Sequence, residues 1–85
     1  MTQNDLQLLK ASIDQIVKIT CSDGEILVAK VLSVSEVEED VIYDLLKTTR
    51  DEHYEKRDVQ PAYLIHFRSI TRVEPYSNPD ESSRP

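Results

Sequence analysis

The sequence predicts a mainly β domain: one short N-terminal α-helix, then five strands of a strongly bent antiparallel barrel, with a 3₁₀ turn before the last strand. Three observations predict it. The only glycine of the 85-residue chain, Gly24, stands between two runs dense in β-branched and aliphatic residues, "IVKITC" and "ILVAKVLSV". The second of these runs is apolar on both of its faces. Two further β-prone runs, "AYLIHF" and "TRVEP", are separated only by "RSI".

The helix comes first. In "NDLQLLKASIDQI", Leu6, Leu9, Ile13 and Ile16 recur three or four apart, the spacing of one helical face. Asn4 is the expected N-cap, with Asp5 in the first turn, and the helix is expected over residues 5–13. So short a helix is marginal alone and must pack on the strands.

Strand one is expected over residues 16–21, where Ile16, Lys18 and Thr20 alternate with Val17, Ile19 and Cys21 to give one wet face. "SDGE" follows as a tight turn, in which Gly24 is free to adopt the positive φ of a hairpin loop. Strand two is expected over 26–34, with Ile26, Val28, Leu32 and Val34 on one face and Leu27, Ala29 and Val31 on the other. A strand buried on both sides of so small a protein suits a long, bent strand shared by two halves of a barrel.

"SEVEED" reads as an acidic turn, and strand three is expected over 40–48. "VIYDLL" also fits a 3.6-residue period, but the β-branched start and the Thr48–Thr49 end favour a strand. "RDEHYEKRDVQP" is charged without an apolar pattern and reads as an exposed loop. Strand four is expected over 62–67, a 3₁₀ turn in "RSI", and strand five over 71–75, closed by Pro75. Residues 1–75 thus form a single domain, and "YSNPDESSRP", residues 76–85, a disordered tail.

Two stretches carry a family resemblance. "VKITCSDGEILVAKVLSV" resembles the first Sm motif, with Asp23 and Gly24 at its turn. "YLIHFRSITRVEP" resembles the second Sm motif and its counterpart in the bacterial Sm-like RNA chaperone, with Ile70, Val73 and Pro75 at its apolar and closing positions. The chain is therefore similar, over about residues 5–75, to the Sm-like (LSm) small barrels, close architectural relatives of the SH3-like barrels. It departs from them at functional positions. Ala29 stands where Sm proteins place a second glycine, Ser35 and Asp40 near their aspartate and asparagine, and His66–Phe67 at their Arg-Gly pair.

Composition limits the chemistry. A net charge of −6 opposes non-specific nucleic-acid binding, which rests on phosphate neutralisation. The charge is uneven: residues 36–58 carry nine acids against four basic residues, while 59–73 carry Arg68 and Arg72 and no acid. Those two arginines and His66 are the candidate nucleic-acid or anion contacts. The lone Cys21 has no internal disulfide partner and reads as a small buried strand residue in a reducing setting. His53 and His66 lie far apart, so no metal-ligand spacing is present, and Glu36, Glu38, Glu39 and Asp40 lack the glycine a cation loop needs. A single glycine cannot supply a P-loop or a dinucleotide fingerprint. Neither cofactor nor metal nor catalytic residue is expected, and the protein is expected not to be an enzyme. Tyr43, Tyr54, Tyr63 and Tyr76 are spread over different elements, where each can pack with its hydroxyl at the surface. "MTQNDLQLLK" lacks the basic start and apolar core of a signal peptide, and no run approaches a membrane span, so a cytoplasmic location is expected.

Three readings stand. The first is an assembly module: the resemblance implies rings in which strand four of one subunit pairs with strand five of the next. Tyr63, Ile65, Phe67 and Val73 would then lie on the interface strands. The second is an RNA-binding regulator using His66, Arg68 and Arg72. The third is an SH3-like adaptor that docks a peptide, for which the chain has few aromatic residues to offer.

Overall fold

The computed structural model describes residues 1–49 and 62–76. Its elements are α1 (Gln3–Ala11), β1 (Ile16–Cys21), β2 (Ile26–Ser35), β3 (Asp40–Thr48), β4 (Tyr63–His66), a 3₁₀ turn (Phe67–Ser69) and β5 (Ile70–Pro75). The strands make one antiparallel, bent sheet in the order β4-β3-β2-β1-β5. The charged loop and, from residue 77, the tail expected from the sequence lie outside the described residues, whereas Tyr76 is held to the sheet by donating its N–H to the Ile16 carbonyl at 3.4 Å.

The helix begins earlier than its periodicity suggests. Thr2, not Asn4, is the N-cap, and it forms a capping box with Asp5. The Thr2 hydroxyl accepts the Asp5 N–H at 3.2 Å, and Asp5 Oδ2 accepts the Thr2 N–H at 2.9 Å. The helix ends at Ala11, and the expected apolar stripe is shorter than its spacing implied. Leu9 is buried, whereas Ile13 and Ile16 lie beyond the helix and are exposed. The polar Asp5, one turn before Leu9, is the second buried helical residue.

The β1–β2 hairpin forms as its glycine requires. Gly24 has φ +93° and donates to the Cys21 carbonyl at 3.0 Å, while Cys21 donates to Glu25 at 2.8 Å. Asp23 Oδ1 accepts the Glu25 N–H at 3.0 Å and stiffens the turn. At the opposite end, Val31 donates to Gln15 and Asp14 donates to Val31, which ties the α1–β1 link to the sheet.

β2 is the long shared strand, but one of its faces is more deeply buried than the other. Leu27, Ala29 and Val31 are fully buried, and Ile26, Val28, Leu32 and Val34 are half-buried. The β2–β3 register shifts between Val28 and Ala29 and again between Val31 and Ser33. Such irregularities bend a strand and increase its twist, so the two ends of β2 can face different parts of the core. β3 is a strand, with Val41, Tyr43 and Leu45 buried in alternation.

The core joins Leu9 of the helix to Val17, Ile19, Leu27, Val31, Val41 and Ile70 of the sheet. Burying each such side chain contributes about 1.5–3 kcal/mol. β4 is pinned to β3 by Tyr63, whose ring stacks on its cross-strand partner Tyr43 with centroids 6.0 Å apart. β4 is shorter than expected because Phe67 turns into the 3₁₀ segment, and β5 starts one residue early at Ile70.

Candidate functional site

The 3₁₀ turn is held from both sides. Phe67 donates its N–H to the Glu39 carbonyl at 2.8 Å, and the Ser69 carbonyl accepts the Ser22 N–H at 2.8 Å. The first bond fastens the acidic β2–β3 turn to the end of β4. That turn is tight: Glu39 takes φ +56°, and the Ser35 hydroxyl accepts the Glu38 N–H at 3.0 Å.

Between the two turns lies a recess of about 240 Å³ lined by Glu38, Glu39, His66 and Arg68. Two of the three predicted contact residues, His66 and Arg68, therefore share one site. Glu38 and Glu39, two acids, line the same recess. Arg72 is not among the lining residues. It projects from β5, with its Nε 3.5 Å from Glu74 Oε1, and Lys18 reaches the same carboxylate at 4.0 Å. The stretch without acids thus ends next to Glu74, which pairs with Arg72 two residues before it on β5 and with Lys18, its register partner on β1.

A second recess, of about 270 Å³, opens on the other side of the 3₁₀ turn, where Leu27, Tyr43 and Ile65 form part of its wall. The hairpin turn gathers Cys21, Asp23 and Glu25 here, with ligand-type atoms all within 4.8 Å of one another. The paired-residue spacings of metal sites do not reveal this grouping, since a turn rather than a repeat creates it. Its carboxylates are engaged within the fold: Asp23 accepts the Glu25 N–H, and Glu25 accepts the Thr48 hydroxyl. Cys21 is buried, as a small strand residue should be.

The strands expected at a subunit interface are the two edges of the sheet. On β4 and its continuation, Tyr63, Ile65 and Phe67 are partly buried against the core, whereas Leu64 is 51% exposed. On β5, Val73 is buried within the chain, so only its backbone lies at the edge. That backbone has a partner which the sequence reading missed: Asp5 Oδ1 accepts the Val73 N–H at 3.0 Å. The signal for Asp5 was available in the Thr-x-x-Asp spacing of Thr2 and Asp5, a capping-box pattern.

Burial raises the Asp5 carboxyl pKa, but the opposing contributions outweigh it. The Thr2 and Val73 amides, the Thr2 hydroxyl and the positive N-terminus together hold it below the ordinary carboxylate value.

No protein-family model matches the sequence, and no curated protein matches it. The structure is similar to the crystal structure of the SmAP (LSm) protein from Methanococcus vannielii. The TM-score is 0.63 at 22% identity, and the match covers 86% of this chain and 96% of that one. The fold is Sm-like. One N-terminal helix and five antiparallel strands in an open, bent sheet agree with that fold. Among the described residues, no helix of this module is long and apolar enough to cross a membrane.

Proposed function

We infer that the chain is a non-enzymatic, cytoplasmic Sm-like assembly module. Copies of it join edge to edge, β4 of one against β5 of the next, into a cyclic homo-oligomer. One observation carries this reading: among the described residues, the sheet order leaves β4 and β5 as its two ends. An open strand edge is a template for pairing with another chain. Exposed Leu64 on β4 adds apolar surface beside that edge, and Tyr63, Ile65 and Phe67 support it from the core side. Val73 contributes through its backbone position on β5. A core built on so few large side chains also gains from the area that oligomerisation buries.

The test is a sedimentation-equilibrium mass at micromolar concentration for the wild type and for Leu64→Asp. The expected result is a multiple of the 9.8 kDa chain for the wild type, reduced in the variant. A wild-type mass of one chain would reject the reading.

A second reading, RNA binding, is favoured by the convergence of His66 and Arg68 on one recess. Glu38 and Glu39 oppose it, because they would repel a phosphate entering the same space. Arg72, already paired with Glu74, adds little to that footprint. Titration of labelled oligo-U and oligo-A at two salt concentrations separates the readings. Salt-sensitive binding that Arg68→Ala abolishes would support RNA recognition.

A further inference from the structure

Among the described residues β5 has no strand on its outer side, and over Val73–Pro75 that edge is short of hydrogen-bond donors. Because the Val73 N–H is donated to Asp5, it points away from β1, where Ile19 is its register partner. In an antiparallel ladder, residues two apart direct their N–H groups to the same side. Pro75, opposite Val17, is therefore the next outward position, and proline has no N–H to offer. A strand adding to β5 over this stretch meets carbonyls, but at both positions the amide hydrogen is committed or missing.

The group that occupies Val73 belongs to the helix. Asp5 Oδ2 accepts the Thr2 N–H and the Thr2 hydroxyl, each at 2.9 Å, while Oδ1 reaches β5. One carboxylate thus closes the helix N-terminus and fastens it to the sheet edge. Natural sheets blunt their edges with proline or by covering them with a helix. Here both devices fall on successive outward positions of one strand. β4 carries no proline over Tyr63–His66 and exposes Leu64.

We propose that α1 is a latch on the β5 edge: by holding the Val73 amide, Asp5 competes with any strand that would extend the sheet there. The consequence for assembly rests on the edge-to-edge reading above; the latch itself does not.

The experiment uses the full chain as wild type, Asp5→Ala and Pro75→Ala. It combines sedimentation velocity over a concentration series with amide exchange at Val73 in the dilute samples. Asp5→Ala is expected to self-associate at about tenfold lower concentration than wild type, the factor expected for one charge-assisted hydrogen bond. Its Val73 amide is expected to exchange faster. Pro75→Ala restores a donor without touching the helix, and it is expected to shift association the same way, so the answer survives if Asp5→Ala does not fold.

If both variants associate as the wild type does, or more weakly, the latch is wrong while assembly stands. The latch is also wrong if Val73 exchange is unchanged in Asp5→Ala, or if folded Asp5→Ala gives no shift where Pro75→Ala does. A wild type that stays a single chain while the variants associate supports the latch and rejects native assembly. Single chains throughout reject both.

Discussion

The amide of Val73 donates to the carboxylate of Asp5 at 3.0 Å, joining residues 68 apart in sequence. That bond connects the first helix to the last strand and crosses the whole domain in sequence terms. It also brings three roles together on one side chain: helix cap, tertiary tether and edge cover.

Removing this carboxylate should therefore cost more than an ordinary surface cap. Asp5→Ala is expected to lower unfolding stability by about 1–3 kcal/mol, since it removes a capping partner and leaves the Val73 amide without its acceptor. Urea denaturation of a dilute sample measures it. Asn4→Ala, at the N-cap expected from residue type, is expected to change stability by less than about 0.5 kcal/mol.

Acid should act on the same group. The folded Asp5 pKa is lowered, so its contribution is fully present above the unfolded value of about 3.9 and is lost as pH falls through the folded value. Stability measured from pH 7 downwards should fall at this acid end, and Asp5→Asn should flatten that part of the profile. An identical acid limb in both proteins would contradict the assignment.

Gly24 separates backbone cost from steric cost. Its φ is +93°, and an added Cβ would meet nothing within 4 Å. Gly24→Ala is thus expected to destabilise by about 1–2 kcal/mol through the backbone alone, a loss that chemical denaturation reads. By contrast, Ile19→Ala empties a fully buried site and should cost about 2–5 kcal/mol.

The acidic turn offers a gain-of-binding experiment. Replacing Glu38 and Glu39 by lysine turns the recess around His66 and Arg68 from mixed charge to basic. The double variant is expected to bind oligo-U at least about tenfold more tightly than wild type at low salt, with a steeper salt dependence. Fluorescence anisotropy at two salt concentrations checks it.

Much of the fold could be read from residue pattern. Gly24 marked the hairpin, the alternation of Val17, Ile19 and Cys21 marked the buried face of β1, and Val41–Ile42 argued correctly for a strand over a helix. The helix start differs from the expected one because Asn4 and Thr2 are both good N-cap residues, and the capping box with Asp5 selects Thr2. Periodicity also overrated Ile13 and Ile16, since the chain leaves the helix before their face could be buried. The candidate site was less legible. Linear charge counting joins Arg72 to Arg68, whereas Arg72 lies beside Glu74, two residues along the same strand, and the β2–β3 turn brings Glu38 and Glu39 to the recess that Arg68 lines. No local pattern states that a carboxylate in the first helical turn will reach the last strand.

The most direct test of the assembly account is a native mass spectrum of the untagged chain at micromolar concentration, which reports copy number and any co-purified nucleic acid together. The account predicts one discrete species at a whole-number multiple, above one, of the 9.8 kDa chain, without bound RNA. A spectrum dominated by the single chain would contradict it.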